Sequence, residues 1–93
     1  MASRSGGADR ISTKAKLAEE LLTLGSVLAR ARERAGLKQS DVVGKLGLPA
    51  SYLSKVENGT RRLDVIELIH SAEAMEMDPG ELVRELQQEL SGR

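Results

Sequence analysis

The stretch QSDVVGKLGLPASYLSKVENG, residues 39–59, decides the fold of this chain. Its first part places apolar side chains at the three- and four-residue spacing of one helical face, which predicts a short helix that ends at about Leu46. Gly47 follows where the chain reverses, since a positive φ is least costly for glycine. Pro49 suits the first position of a second helix, and the Asn58-Gly59 pair tolerates the left-handed conformation that ends it.

Two short helices joined by a tight turn form a helix-turn-helix, and its second helix is presented to the major groove of DNA. In that second helix, Leu53 and Val56 are three residues apart and face inward. The opposite side carries small and basic residues: Ala50, Ser51, Ser54 and Lys55. The pattern therefore predicts a helix-turn-helix whose second helix exposes this side.

The chain on either side of this unit also reads as helices. Ser12 is a candidate N-cap for a helix whose leucines recur on one stripe at residues 17, 21, 24 and 28, and the sequence leaves open whether Thr23 or Gly25 interrupts it. A glycine at residue 36 closes the next helix. Asp64 and Asp78 each begin a further helix, because each is followed three residues later by glutamate.

No strand pattern occurs in the sequence, so the predicted fold is all-α, with five core helices and an N-terminal helical extension. The first ten residues are small, polar and rich in glycine, which favours a flexible terminus. The predicted organisation is a flexible arm over residues 1–11, a helical extension over residues 12–23 and a DNA-binding domain, including the C-terminal helix, over residues 24–93.

The composition narrows the classes of function. The 93 residues suffice for one small domain, and its core must be aliphatic because Tyr52 is the only aromatic residue. The chain has no cysteine, and its single histidine, His70, has no partner at the spacing of a metal site or a catalytic pair. We therefore predict a non-enzyme without metal or cofactor. The absence of a secretory signal or a long apolar run favours a cytoplasmic protein without membrane contact.

Charge is distributed unevenly although the net charge is zero. Residues 30–62 carry eight basic and three acidic residues, an excess of five positive charges. Residues 63–93 carry two basic and eight acidic residues, an excess of six negative charges. A protein with one polyanion-binding face shows such an asymmetry, and the alternative is an ordinary scatter of solvated charges.

Two segments, GLKQSDVVGKLGLPASYLSKVENGTRR and LDVIELIHSAEAMEMDPGELV, resemble the phage repressor and Cro type of helix-turn-helix domain, also called the Xre type. The resemblance covers residues 24–83. Its most specific motifs are GLKQ at residues 36–39, YLSKVENG at residues 52–59 and DPGEL at residues 78–82. It implies a lambda-repressor-like domain of five helices that binds operator DNA, usually as a dimer.

The resemblance also implies roles for individual residues. Gln39 corresponds to a residue that holds a phosphate, whereas Glu57 corresponds to a structural one. The three residues 50, 51 and 55 correspond to base-facing positions, and residues 58 and 60–62 to positions near the phosphates. The hydroxyl of Tyr52 is expected to be free for a phosphate. The predicted DNA-binding residues are Gln39, Ser40, Ala50, Ser51, Tyr52, Ser54, Lys55, Asn58, Thr60, Arg61 and Arg62.

Three residues depart from the pattern of the family. Val43 stands where a small residue is favoured at a close helix crossing, and Leu63 replaces a frequent proline. Ala50 stands where a long polar base reader is common. Specificity would then depend on the remaining readers and on DNA shape.

We expect a homodimer, because one half-site reached by about two polar side chains binds too weakly for regulation. A two-fold dimer engages half-sites about 34 Å apart. Two apolar stripes are candidates for the dimer interface, and each of them could instead pack within its own domain. The candidate interface residues are Leu17, Leu21, Leu82, Leu86 and Leu90.

The predicted function is that of a sequence-specific transcriptional regulator, most often a repressor, that binds a palindromic operator. The alternative is a protein-interaction adaptor or an antitoxin-like subunit. In that case the helix bundle would bind a protein partner through the acidic C-terminal face.

Overall fold

The computed structural model describes residues 6–92 and the side chains of residues 13–92. It has five helices: α1 (Gly6–Arg34), α2 (Gln39–Leu46), α3 (Ala50–Glu57), α4 (Val65–Ala74) and α5 (Pro79–Ser91). No strand occurs among the described residues. The predicted all-α fold is confirmed, and the expected extension and first core helix form one continuous helix, α1.

Helix α1 begins at Gly6 and not at Ser12. The backbone of residues 6–11, which we assigned to the arm, is therefore helical, while residues 1–5 lie outside the described part of the chain. Thr23 does not interrupt the helix. Its hydroxyl donates a hydrogen bond to the carbonyl of Glu19 one turn earlier (3.2 Å) and so stays within helical geometry.

Gly25 allows α1 and α3 to approach each other closely. A Cβ atom at this position would lie 2.7 Å from the carbonyl oxygen of Val56, and closer still to that of Glu57, at the end of α3. Both are backbone atoms, which cannot turn away as a flexible side chain can. The glycine that could have broken the helix is therefore a crossing residue, and α1 continues through it.

The core is aliphatic apart from Tyr52, as predicted. Its buried residues come from all five helices and from Met75, the C-cap of α4. They are Val27, Leu28, Ala31, Val42, Val43, Tyr52, Leu53, Val56, Ala72, Ala74, Met75 and Leu82. Val43 is 5% exposed, so this larger residue is accommodated at the crossing of α2 and α3.

Glycine and proline shape the turn between α2 and α3. Gly47 has a φ of 68°, and the amide of Leu48 donates to the carbonyl of Val43 (3.1 Å), which closes α2. Pro49 occupies the N-cap and not the first helical position. Helix α3 consequently begins at Ala50, one residue later than predicted.

The two predicted aspartate caps are confirmed. The carboxylate of Asp64 accepts from the amide of Glu67 (2.7 Å), and the carboxylate of Glu67 accepts from the amide of Asp64 (3.0 Å), which is a complete capping box. Asp78 accepts from the amide of Glu81 (3.0 Å). Pro79 follows at the first position of α5.

Helices α1 and α5 pack side by side along a seam with ion pairs at its edge. Arg34 contacts Glu85 (2.9 Å) and Arg30 contacts Glu89 (3.3 Å), so the two helices run in opposite directions. Leu82 is 1% exposed and lies in the core of its own domain. It is therefore removed from the predicted dimer contacts, because a residue without exposed surface cannot contact a second subunit.

The other predicted dimer contacts retain some exposed surface. Leu86 packs against the core as a partly buried residue. Leu90 near the end of α5, and Leu17 and Leu21 on α1, are half-buried.

Candidate nucleic-acid interface

Helix α3 buries one side and exposes the other. Tyr52, Leu53 and Val56 are buried. The predicted base-reading side is turned toward solvent: Ala50, Ser51 and Lys55 are exposed, and Ser54 is half-buried. The hydroxyl of Ser54 donates to the carbonyl of Ser51 (3.1 Å) within the helix. Ser51 and Lys55 are therefore the two polar candidates for base contacts on this side that are exposed.

A buried ion pair, the inner pair, holds the end of α3 against α1. Arg32 donates to the carboxylate of Glu57 from Nε (2.7 Å) and from Nη2 (3.1 Å), and its Nη1 donates to the carbonyl of Leu37 (2.8 Å). The carboxylate raises the pKa of Arg32, chiefly through these hydrogen bonds. The structural role expected for Glu57 is confirmed.

Gln39 joins the inner pair to the start of α2. Its side-chain amide donates to Oε1 of Glu57 (2.8 Å), which orients the side chain and leaves one of its two amide hydrogens available. Ser40 is exposed beside it. The first backbone amides of a helix have no partner within the helix, so the start of α2 presents donors that suit a phosphate.

The loop after α3 is held by its own side chains. Oδ1 of Asn58 accepts from the amide of Thr60 (3.2 Å) and from its hydroxyl (2.7 Å). The amides of Thr60 and Arg61 both donate to the carbonyl of Lys55 (2.9 and 3.2 Å). Asn58 and Thr60, which were predicted near phosphates, thus shape the loop that carries the arginines and bring it beside Lys55.

A second ion pair, the outer pair, follows in this loop. Arg61 donates to the two carboxylate oxygens of Glu67 (3.3 and 3.0 Å) and to the carbonyl of Arg62 (2.7 Å). Its guanidinium also lies 4.5 Å from the ring centroid of Tyr52, a cation–π arrangement. The hydrogen bond raises the pKa of Arg61 and lowers the pKa of Glu67.

Tyr52 packs against this loop, with its ring beneath the guanidinium of Arg61. The residue is 7% exposed, and burial raises the pKa of its phenol, an effect that the hydroxyl of buried Ser71 partly offsets. The two hydroxyls are neighbours, although Oγ of Ser71 makes no hydrogen bond of good geometry. That the Tyr52 hydroxyl is free for a phosphate stays a prediction.

Within residues 30–62, the cations that make no ion pair with a described residue lie around α3. Within residues 30–62, five of the eight basic residues pair with carboxylates: Arg30, Arg32, Arg34, Lys45 and Arg61. The other three, Lys38, Lys55 and Arg62, make no ion pair with a described residue and are exposed. They lie just before α2, on α3 and in the loop after it. The free positive charge of this segment thus borders the predicted interface.

Lys38 was not among the predicted DNA-binding residues. It occupies the N-cap of α2, where its amide donates to the carboxylate of Asp41 (2.8 Å) and its own side chain stays exposed. A signal was present in the sequence, since Lys38 directly precedes Gln39, the position at which the resemblance implies a phosphate contact.

An open groove of about 450 Å³ runs beside α3. Its lining residues are Leu48, Pro49, Ser51, Tyr52, Lys55, Thr60 and Arg61.

Among the described residues, no group of histidines and carboxylates is arranged to hold a metal ion. No helix in this part of the chain is long and apolar enough to cross a membrane.

Comparison with known proteins places this geometry in a family. A family model described as a helix-turn-helix domain matches residues 23–86, which contain α2 and α3. The chain belongs to this family. The Xre-type resemblance is supported by a structure described as an XRE-family like protein from Pseudomonas syringae pv. tomato str. DC3000, with a TM-score of 0.70 and 33% identity, covering 90% of this chain and 96% of that one.

Two further helix-turn-helix relatives agree with this assignment. The restriction-modification controller protein C.AhdI from Aeromonas hydrophila has a TM-score of 0.65 and 31% identity, covering 69% of this chain and 97% of that chain. An uncharacterized HTH-type transcriptional regulator, y4dJ, of Sinorhizobium fredii (strain NBRC 101917 / NGR234) is 40% identical over 60 residues, or 64% of this chain and 78% of its own length. This Xre-type protein is thus a member of a family of DNA-binding transcriptional regulators, which is not a class of enzymes.

Proposed function

We propose that this protein represses transcription by binding a palindromic operator as a homodimer, with α3 of each subunit in the major groove. Occupation of promoter DNA is the means of repression. The proposal assigns no catalytic step to the chain.

Three cations within residues 30–62 that make no ion pair with a described residue are the observation that carries this proposal. Phosphates attract free cations, and cations that are already neutralised by carboxylates contribute less. Lys38, Lys55 and Arg62 lie before α2, on α3 and after α3. This distribution suits a DNA backbone that passes on both sides of a helix lying in the groove.

The side chains divide into phosphate contacts and base readers. Lys38, the first amides of α2 and the remaining amide hydrogen of Gln39 suit one phosphate strand, and Arg62 suits the phosphates beyond α3. Ser51 and Lys55 on the exposed side of α3 reach base edges, and a lysine reads guanine most readily. Two such readers in each subunit give little discrimination alone, so the dimer supplies the specificity.

The acidic C-terminal half supports the adaptor alternative less than its composition suggests. Within residues 63–92, five of the eight carboxylates pair with arginine or lysine of the same chain: Glu67, Glu76, Asp78, Glu85 and Glu89. These pairs offset much of the negative charge of this half, which weakens the case for a basic partner and leaves DNA as the preferred ligand.

The first experiment is selection of bound sequences from a random DNA library, followed by a salt titration on the selected site. We expect a palindrome with half-sites one helical turn apart and a steep fall of affinity with salt. No enriched sequence, or enrichment of asymmetric sites only, would contradict the proposal.

Arginine variants then test where the DNA lies. Arg62→Ala should reduce the slope of log affinity against log salt concentration by about one for each subunit. Arg30→Ala is the matched control, because Arg30 pairs with Glu89 on the α1–α5 seam, and it should leave the slope unchanged. Equal slopes for the two variants would place the DNA elsewhere.

A further inference from the structure

Three consecutive apolar residues are exposed where α3 begins. Leu48 is 39% exposed, and Pro49 and Ala50 beside it are exposed as well. Leu48 and Pro49 precede the helix, and Ala50 is its first residue. We call these three residues the apolar segment. Because a recognition helix contacts base edges with its N-terminal residues, the apolar segment faces the bases in the proposed complex.

The apolar segment continues into the open groove beside α3. Leu48, Pro49 and Tyr52 line this groove. Two cationic residues, Lys55 and Arg61, line it too. The groove thus joins an apolar surface to positive charge. This combination suits DNA, in which the base edges lie between two strands of phosphates.

The major groove of DNA offers an apolar group at one kind of base. Guanine, adenine and cytosine present hydrogen-bond donors and acceptors there, whereas thymine presents one acceptor and its C5 methyl group. Apolar side chains, that of alanine included, contact this methyl group in protein–DNA complexes. An apolar segment that faces the bases therefore matches thymine better than the other three.

The other side chains of this region narrow the choice further. Between residues 48 and 55 the chain has no asparagine or glutamine, which read adenine, and no aspartate or glutamate, which accept from cytosine. Serine hydroxyls pair with more than one base, and lysine reads guanine. Thymine, through its methyl group, and guanine, through Lys55, are thus the two bases that this region can select directly.

We propose that the apolar segment selects thymine in the operator by packing against its C5 methyl group. This deepens the proposed function and rests on it for the placement of α3 in the major groove. Ala50 and Lys55 lie about 7.5 Å apart along the helix axis, at about 1.5 Å per residue, which is the rise of about two base pairs. Each half-site therefore carries a thymine about two base pairs from the guanine that Lys55 contacts.

The burial of a single methyl group sets the size of the effect. Removing one methyl group from an apolar contact should weaken binding by about fourfold. A palindrome presents the contact twice, so removal from both half-sites should weaken binding by about 15-fold. The apolar segment thus governs the choice of base, while the phosphate contacts supply most of the affinity.

Deoxyuridine in place of thymidine removes only this methyl group. The selected operator is synthesised with deoxyuridine at one thymine position at a time, in both half-sites together. We expect binding to weaken by about 15-fold at the position that faces the apolar segment, and to stay unchanged at thymines outside the reach of α3. A selected half-site without thymine, or one in which no thymine responds, would overturn the proposal.

5-Methylcytosine separates the methyl group from the rest of the base. Cytosine lacks the methyl group and presents an amino group where thymine presents a carbonyl oxygen. Binding that is lost when cytosine replaces the responsive thymine should return in part with 5-methylcytosine, because the methyl group regains its place at C5. Equal affinities for the two cytosine operators would contradict a contact with the methyl group.

Two variants assign the contact to the apolar segment. Leu48→Ser and Ala50→Gly are each compared on the thymidine and deoxyuridine operators, so a change in the folded fraction cancels from the ratio of affinities. We expect this ratio to fall from about 15-fold to about fourfold or less.

Val83→Ser is the matched control for these variants, since Val83 is also apolar and 45% exposed but lies on α5. The full ratio should remain in this variant. An unchanged ratio in both Leu48→Ser and Ala50→Gly, or an equal fall in Val83→Ser, would overturn the proposal.

The outcomes also separate this proposal from the proposed function. If a palindrome is bound but does not respond to deoxyuridine, the selection of thymine fails and the repressor function stands. If only asymmetric sites are bound and their methyl dependence maps to Leu48 and Ala50, the selection of thymine stands and the palindromic repressor fails. If the chain binds no DNA, both proposals fail.

Discussion

The inner pair and the outer pair join an arginine to a glutamate in the same bidentate way, yet they differ in burial. The side chains of Arg32 and Glu57 are 13% and 8% exposed, whereas those of Arg61 and Glu67 are 38% and 31% exposed. The inner pair also binds Gln39, and thereby links α1, α2 and α3. The outer pair links only a loop to the first turn of α4.

This difference in burial separates a structural contact from an exchangeable one. A buried charge that loses its partner cannot recover its hydration, so breaking the inner pair is costly. Solvent and ions screen an exposed pair, and a phosphate can replace its carboxylate. The inner pair therefore sets the position of α3. In the proposed function, the outer pair holds Arg61 beside the DNA interface until DNA binds.

The largest effect should follow from breaking the inner pair. Glu57→Ala leaves Arg32 and the amide of Gln39 without their shared acceptor, and should lower the free energy of unfolding by about 3 kcal/mol. Urea unfolding measures this loss. The double variant with Arg32→Met and Glu57→Met removes both charges and should recover much of the stability. A double variant as unstable as Glu57→Ala would show that the charge left unpaired is not the cause.

The next effect concerns the helix crossing beside the inner pair. Gly25→Ala places a methyl group against the backbone carbonyls of Val56 and Glu57, and should lower the free energy of unfolding by about 2 kcal/mol through overpacking. Gly44→Ala is the matched control, because a Cβ at Gly44 meets no atom within 4 Å. This control should stabilise the protein by up to about 1 kcal/mol through helix propensity. Similar losses for the two variants would argue against a close crossing.

A smaller effect should follow from releasing the outer pair. Glu67→Gln keeps the capping box, since glutamine also serves at this position, but frees Arg61 for a phosphate. We expect a higher affinity for the selected operator and a salt slope steeper by about 0.9 for each subunit. Stability at neutral pH should change little. An unchanged slope would mean that Arg61 stays on Tyr52 and takes no part in binding.

Local signals account for the parts of the fold that the sequence predicted. Glycine at residue 47, aspartate at residues 64 and 78, and the spacing of apolar residues act within one or two helical turns. The helix ends therefore agreed with prediction to within one residue at α3. The exposed side of α3 could be predicted for the same reason, because the spacing of Leu53 and Val56 defines which side is buried.

Contacts between distant residues were beyond such signals. Arg34 pairs with Glu85, which is 51 positions away, and the excess of basic residues in one half and acidic residues in the other largely reflects pairing between the two halves. No local signal in the sequence indicated that Arg61 is paired, because its partner, Glu67, also serves in the capping box of α4. Gly25 looked like a helix break, since only the position of α3 reveals the close crossing.

The smallest expected effect concerns the titration of Tyr52, whose ring contacts Arg61 of the outer pair. Tyr52 is the only aromatic residue, so phenolate absorbance follows this single group. Burial should hold its pKa above the ordinary 10.0, while the guanidinium of Arg61 partly opposes the rise. Above pH 10 the unfolded chain loses a proton that the native chain keeps, so stability should fall as the pH rises through this range.

The variant Arg61→Met keeps an aliphatic cover on the ring but removes the positive charge, so it should move the midpoint of the Tyr52 titration further upward. Because the cation favours phenolate, the same shift should appear in wild-type protein if bound DNA draws Arg61 away from the ring. A wild-type midpoint at or below 10.0 would mean that the ring is hydrated, and Arg61 would then rest on an exposed tyrosine that does not fix its position.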